Sequence, residues 1–168
     1  MSQTDYRSLL WELPPDLVKE LIESGKDVNA PDSLGDYMLT VACQGLHAST
    51  VRLLLAAGAD PNVRSDSGDT PLLCAIDTVQ HNPAASMSIV EMLVTADADL
   101  ERRGYMNKTP FLKACSRGNL DLVKLLVRLG ADTTAVVDDG GILAGVEFAR
   151  IFHAPREMTE YIDGLKRA

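Results

Sequence analysis

Residues 107–132 read NKTPFLKACSRGNLDLVKLLVRLGAD, and this stretch decides the fold because it predicts two short helices in succession. Thr109 can cap the first helix, and Pro110 follows at the position where a missing N–H and a fixed φ cost nothing. Asn119 can cap the second helix, and Gly130 can supply the left-handed residue that ends it. A pair of helices this short cannot bury its apolar face alone, so it needs neighbours of the same kind.

The chain supplies those neighbours by repeating the pattern in register. Four segments align: residues 23–29 (ESGKDVN), 55–62 (LAAGADPN), 94–101 (VTADADLE) and 127–134 (VRLGADTT). Gly25 and Gly58, in the first two segments, are 33 residues apart. The Thr-Pro pairs that begin at Thr70 and Thr109 are 39 residues apart, so the intervening copy carries six extra residues.

A period of 33 residues that holds a turn and two helices resembles the ankyrin-repeat family, and the resemblance covers essentially the whole chain. It implies an all-α solenoid of about five helix-turn-helix units with short β-turn fingers. We expect a single domain over residues 1–168. Its parts are an N-terminal cap repeat at 1–31, three repeats at 32–64, 65–103 and 104–136, and a C-terminal cap repeat at 137–168.

The sequence also predicts individual helices. They cover residues 5–13, 15–24, 37–45, 49–57, 83–95 and 142–152, and a last helix runs from Pro155 to about residue 166. Tyr37 stands where the family prefers threonine, so one helix should lack its side-chain cap.

The six extra residues lie between Ala75 and Val90, and we expect both helices of that repeat to be longer than the others. Residues 78–86 could be functional or a product of loop drift. Asp97 occupies the slot that glycine fills in the other copies, and aspartate tolerates the left-handed conformation less well than glycine does.

The composition argues against several classes of protein. The 168-residue chain has a net charge of -8, and general nucleic-acid binding needs a basic surface. No apolar run approaches the roughly 20 residues that span a bilayer, so we expect no membrane association. The N-terminus is acidic where a signal peptide is basic. We therefore expect a cytoplasmic protein, and a monomer.

No arrangement of residues points to catalysis, a cofactor or a metal. The three histidines have no recognisable catalytic surroundings, and there is no glycine-rich phosphate loop. Cys43 and His47 are four residues apart, but zinc needs three or four ligands and no second pair has a matching spacing. Cys43, Cys74 and Cys115 fall at helix positions that the repeat buries, so we expect core thiols. We expect a protein that is not an enzyme.

The resemblance implies that a protein partner binds on the concave face, which the finger tips and first helices line. Mapped onto this sequence, the candidate partner-binding residues are Leu34, Asp36, Asp66, Asp69, Asp77, Arg103, Tyr105, Met106, Lys108, Arg117, Asp138 and Asp139. Tyr105 and Met106 stand out because Tyr, Met and Arg are enriched at the centres of interfaces, and Arg103 and Lys108 flank them. Alternatively, Met106 packs against the neighbouring finger.

Charge is segregated along the chain. Residues 101–131 carry a net charge of +5, whereas residues 1–36 carry -5. Such a dipole can orient a partner, or it can reflect ordinary solvated faces. Two functions follow from the sequence: a protein–protein interaction module that works through the concave face, and an accessory structural subunit that assembles through its end-cap surfaces.

Overall fold

The computed structural model describes residue 6 and residues 14–138 and 142–165, without the side chains of residues 138, 142 and 143. The described elements are α1 (Pro15–Glu23), α2 (Met38–Gln44), α3 (Ala48–Ala56), α4 (Pro71–Asp77), α5 (Pro83–Thr95), α6 (Pro110–Arg117), α7 (Leu120–Arg128), β1 (Val136–Asp138), β2 (Ile142–Ala144), α8 (Gly145–Ile151) and α9 (Arg156–Leu165). The helix predicted over residues 5–13 falls almost entirely outside the described residues.

The helices stack in two rows. The first helices of successive pairs, α2, α4, α6 and α8, contact one another in chain order, and the second helices α1, α3, α5 and α7 form the other row. The all-α solenoid is therefore confirmed, with a two-stranded hairpin as the exception among the described residues. None of the described helices is long and apolar enough to cross a bilayer.

Local signals in the sequence start the helices where predicted. The Thr109 hydroxyl accepts a hydrogen bond from the Leu112 N–H at 3.3 Å, and the Asn119 side chain accepts one from the Leu122 N–H at 2.9 Å. These bonds satisfy N–H groups that have no partner inside the helix. Tyr37 makes no side-chain cap at the start of α2, as expected.

The repeat with extra residues differs from the prediction in one respect. Helix α5 has the predicted bounds, Pro83–Thr95, and the Asn82 side chain caps it by accepting a hydrogen bond from the Ala85 N–H at 3.1 Å. The expectation that both helices lengthen was wrong, since α4 has seven residues like α2. Compared with α2 and α3, four of the extra residues lengthen the second helix and two lengthen the link before it.

The second helices end in a shared backbone conformation. The second residue beyond the end of α3, α5 and α7 has a left-handed φ, which is 85° at Gly58, 65° at Asp97 and 96° at Gly130. Asp97 therefore adopts the conformation of the glycine slot although it carries a Cβ.

A ladder of side chains joins one repeat to the next just after these ends. Asn29 accepts a hydrogen bond from the Asp60 N–H and donates one to the Gly58 carbonyl. Asn62 repeats both bonds one unit later, with the N–H of Asp99 and the carbonyl of Asp97. At the third step Glu101 replaces asparagine, so it can accept but not donate, and it accepts from the Asp132 N–H at 2.7 Å.

The C-terminal repeat begins with a strand pair that was not predicted. Strands β1 and β2 pair antiparallel, with Val136 opposite Ala144. The helix predicted over residues 142–152 therefore begins three residues later, at Gly145. Ala144 has no capping side chain, and its N–H instead donates to the Glu147 carboxylate at 3.0 Å. The last helix, predicted from Pro155, runs over Arg156–Leu165.

Candidate functional site: a cleft at the third finger

Three fingers connect the helix pairs with the same backbone pattern. In each, the N–H of the first residue donates to the carbonyl of the fifth: Asp32 to Asp36, Ser65 to Asp69, and Gly104 to Lys108. This closure directs the fifth residue toward the helices rather than outward. Asp36 is only 2% exposed and Lys108 only 9%. Asp36 and Lys108, which the sequence maps to the fingers as candidate binding residues, therefore do not lie at exposed tips.

The third finger holds a strained backbone. Met106 has φ 57° and ψ 29°, and Asn107 has φ 55° in the slot that Gly35 and Gly68 fill in the other fingers. Two successive left-handed residues with side chains are costly, at about 1–2 kcal/mol each for an ordinary residue. Such strain persists only where the surrounding structure enforces it.

Contacts on both sides enforce this conformation. Gly104 lies so close to the second finger that a Cβ would fall 2.4 Å from Leu73 Cδ1 and 2.5 Å from Asp69 Oδ1, so a larger residue would have to displace both side chains. On the other side, Arg103 Nη1 donates to the carbonyls of Asn107 at 2.7 Å and Val136 at 3.0 Å. Arg103 therefore braces the finger.

The finger presents apolar side chains to a cleft. Tyr105 is 69% exposed, Met106 52% and Phe152, just after α8, 48%. The interpretation that Met106 packs away against a neighbouring finger does not fit this exposure. The cleft has a volume of about 260 Å³, and its lining residues are Asp69, Asp77, Tyr105, Met106, Lys108, Lys113, Ser116, Arg117 and Phe152.

The floor of the cleft is an ion-pair network between two repeats. Lys113 Nζ lies 2.7 Å from Asp77 Oδ2 and 3.3 Å from Asp69 Oδ1, and its side chain is 8% exposed. Arg117 donates from Nε and Nη2 to Asp77 Oδ1 at 3.0 and 2.5 Å. Asp69 Oδ1 also accepts from the Tyr105 N–H at 3.3 Å. Each buried charge here has an opposite partner, as burial requires.

Of the three cations that line the cleft, Lys108 is the one without such a partner among the described residues. Its Nζ lies 4.9 Å from the centre of the Phe148 ring and 5.1 Å from that of Phe152. Burial, reinforced by the positive charges of Lys113 and Arg117, lowers the pKa of the Lys108 ammonium. The Lys108 side chain thus lines the cleft with its Nζ over the rings of the next repeat.

The other predicted site residues lie elsewhere. Leu34 is exposed at the first finger, 53%, and Asp66 is exposed at the second, where its carboxylate lies beside Gly35. Asp138 lies on β1 with its side chain undescribed, and Asp139 falls outside the described residues. The structure thus brings together six of the candidates: Asp69, Asp77, Tyr105, Met106, Lys108 and Arg117.

Sequence reasoning missed Lys113, Ser116 and Phe152. A signal for Lys113 was present, because the repeat aligns it with Val41 and Cys74, which are apolar and buried. A lysine in an apolar slot predicts a buried acidic partner.

Several basic side chains in residues 101–131 already contact acidic or aromatic side chains of the protein itself. Arg128 pairs with Glu91 at 2.9 Å, and Lys124 Nζ lies 5.7 Å from the centre of the Tyr161 ring. With the pairs of Lys113 and Arg117, these contacts engage four of the seven basic side chains in this stretch.

The three cysteines are buried and free. Burial raises the pKa of Cys74 and of Cys115 to about 12, and it raises that of Cys43 well above the ordinary value. Within the described parts of the chain, no three His, Cys, Asp or Glu side chains gather as a metal ion would require.

Comparison with known proteins decides the family. The family profile described as "Ankyrin repeats (3 copies)" matches residues 12–103, and one described as "Ankyrin repeat" matches residues 106–135. The chain belongs to the ankyrin-repeat family. Ankyrin repeats are generic protein–protein interaction modules, and the family is typically a non-enzymatic interaction scaffold.

Individual relatives resemble this ankyrin-repeat chain over part of their length. A putative ankyrin repeat protein L271 of Acanthamoeba polyphaga mimivirus is 28% identical over 73% of the chain, and a fem-1 homolog A-like protein of Mus musculus is 32% identical over 63%. The mitochondrial disaggregase of Bos taurus is 36% identical over 59%. The chain spans 18%, 15% and 13% of these relatives, respectively.

Proposed function

We propose that this ankyrin-repeat chain binds a protein partner through the face formed by the fingers and first helices, with the cleft at the third finger at its centre. One observation carries the proposal: Tyr105, Met106 and Phe152 expose apolar surface around a single cleft. Aromatic residues and methionine are enriched where interfaces are most buried, and clustered exposed apolar side chains mark interaction sites.

The backbone of the third finger supports the same proposal. Met106 keeps a left-handed conformation at an exposed tip, where a glycine would relieve the strain. Strain at an exposed loop is commonly associated with binding, and the brace from Arg103 presents the side chain in a fixed position. A rigid apolar anchor loses little conformational entropy when it binds.

The first experiment changes both tip residues. The variant with Tyr105→Ala and Met106→Ala should fail to capture partners that the wild-type protein captures from lysate, as identified by mass spectrometry. Ile151→Ala is the matched control, since Ile151 is 52% exposed, like Met106, but does not line the cleft. Equal capture by the double variant and the wild type would refute the proposed site.

A second variant separates binding from folding. Met106→Gly removes the side chain and relieves the left-handed strain, so it should keep or raise the melting temperature while it weakens capture. Loss of capture together with loss of stability would show that Met106 supports the finger rather than the partner.

The accessory-subunit function is the alternative outcome of these experiments. The outer face of α9 carries a salt bridge between Arg156 and Glu160 at 2.7 Å, with the side chains 90% and 59% exposed. If charge reversal at both positions dissociates an assembly that the tip variants leave intact, the end surface carries the function instead.

We propose that the protein acts as a non-catalytic monomer in the cytoplasm. Its buried free thiols support a reducing compartment. The mixed charges on the outer face of α9 support a solvated end rather than a stacking surface.

A further inference from the structure

We infer that the cleft takes an acidic side chain of the partner, which binds at Lys108 while a large apolar side chain beside it in the partner packs on Tyr105, Met106 and Phe152. The inference rests on the proposed function and specifies its partner. The occupant is a short peptide segment in which aspartate or glutamate stands next to a leucine-sized or aromatic residue.

The charge balance of the cleft favours an anion. Three cationic side chains line it, against two carboxylates. Both carboxylates are already engaged, because Lys113 contacts both of them and Arg117 donates two hydrogen bonds to Asp77. The positive charge in excess therefore belongs to Lys108.

The Lys108 ammonium also lacks hydrogen-bond acceptors. Among the described residues none accepts a hydrogen bond from its Nζ, and two phenyl rings, of Phe148 and Phe152, replace much of its hydration. An ammonium has three donors, and a cation–π contact compensates only part of the lost hydration. A carboxylate that enters the cleft would supply both the missing charge and the missing acceptors.

The slot that Lys108 occupies sets this finger apart. In the first and second fingers the corresponding residues are Asp36 and Asp69. Asp69 uses its carboxylate to bind the next finger and Lys113. The third finger reverses the charge at this position, so it cannot make those contacts and instead brings a cation to the cleft.

The size and lining of the cleft fit a peptide better than a cofactor. Its volume of about 260 Å³ is below the range of roughly 300–1,000 Å³ that is usual for sites of drug-sized ligands. Apolar side chains form the rim next to Lys108, so a carboxylate and a neighbouring apolar side chain can be accommodated together.

The test uses a displayed library of random short peptides, selected on the full chain. The wild-type protein should select peptides enriched in Asp or Glu beside Leu, Phe, Tyr or Trp. The Lys108→Met variant, which keeps the apolar stem, should lose the acidic enrichment. Lys124→Met is the matched control, because Lys124 also lies over an aromatic ring but does not line the cleft, so it should select as the wild type does.

A selected peptide then measures how much its acidic residue contributes to affinity. Replacing its acidic residue by the amide should weaken binding to the wild type about tenfold or more, as expected for a charge-assisted hydrogen bond. The same replacement should change binding to Lys108→Met by less than about twofold. Fluorescence polarisation at two salt concentrations measures both, and higher salt should weaken only the wild-type interaction with the acidic peptide.

The outcomes separate this inference from the proposed function. If peptides bind, depend on Tyr105 and Met106, and show no acidic preference, the inference is wrong and the proposed function survives. If acidic peptides bind equally well to the variant with both tip residues changed to alanine, the proposed site is wrong as well. A wild-type protein that selects no peptide overturns the inference, whereas capture of partners from lysate still tests the function.

Discussion

Replacing Asp97 by glycine isolates the effect of a single backbone conformation. Asp97 has φ 65° at the end of α5, in the slot where Gly58 and Gly130 have φ 85° and 96°. Its carbonyl accepts a hydrogen bond from Asn62 Nδ2 at 2.9 Å, and a glycine would keep this bond because it involves only the backbone of residue 97. The side chain of Asp97 is exposed.

The magnitude follows from two opposing terms. A residue with a Cβ loses about 1–2 kcal/mol in the left-handed region, with aspartate in the lower half of that range. Glycine costs about 0.5–1 kcal/mol because it gains conformational freedom in the unfolded chain. We expect Asp97→Gly to raise the free energy of unfolding by about 0.5 kcal/mol, and the melting temperature by about 1–2 °C for a chain of this size.

The assay is urea and thermal denaturation followed by far-UV circular dichroism. Gly58→Ala is the reciprocal control, since no atom lies within 4 Å of a Cβ built there and only the positive φ opposes the change. It should lower the free energy of unfolding by about 1 kcal/mol. Asp97→Asn removes the charge of the side chain and keeps its Cβ, so it should have less effect than glycine.

Two results would refute this reasoning. If Asp97→Gly leaves the urea midpoint unchanged or lowers it at a constant slope, the left-handed conformation carries no strain there. If Asp97→Asn stabilises the protein as much as glycine does, the gain comes from the chain's net charge of -8 rather than from the backbone.

Three further predictions concern the ladder, a helix cap and the thiols. Burial raises the pKa of the Glu101 carboxyl, so the folded protein favours the protonated form and the ionised form opposes folding. The stability that protonated Glu101 contributes is therefore lost as pH rises above the pKa of the unfolded chain. The variant Glu101→Asn keeps an acceptor for the Asp132 N–H and adds a donor. Urea titrations should show a free energy of unfolding that is higher by about 1 kcal/mol at neutral pH, and a smaller increase in acid. Asn119→Ala should lower the unfolding free energy by about 1 kcal/mol, whereas Asn119→Asp, which keeps the capping oxygen, should lower it by much less; an equal loss would contradict the cap. The cysteines should react with a thiol reagent at neutral pH only after denaturation, and rapid reaction of the native protein would contradict their burial.

The sequence predicted those parts of the fold that local chemistry determines. The threonine and asparagine caps and the Asn82–Pro83 start of α5 act within one turn of a helix, so a few neighbouring residues specify them. The expected lengthening of α4 was wrong because the number of extra residues does not tell which element contains them. Strand β2 was missed because the prediction relied on helical periodicity and caps, which do not reveal that residues 142–144 pair with β1.

In the candidate site too, residues placed by local sequence were predicted, whereas residues placed by contacts with other repeats were not. The sequence placed Tyr105 and Met106 at a tip because their finger follows the repeat. It misplaced Lys108, whose position depends on Phe148 and Phe152 in the next repeat, where the predicted helix began three residues too early. Lys113 was missed for a comparable reason, since its acidic partners belong to the preceding repeat.

The ion pairs beneath the cleft have a consequence for how the solenoid opens. Lys113 and Arg117 belong to α6, whereas Asp69 and Asp77 belong to the preceding finger and α4, and the Gln80 side chain adds a hydrogen bond to the Arg117 carbonyl across the same junction. These bonds link two adjacent repeats that could otherwise unfold locally and independently of each other. A peptide bound in the cleft would contact both repeats and stabilise the junction between them. Amide hydrogen exchange should therefore slow in both repeats together.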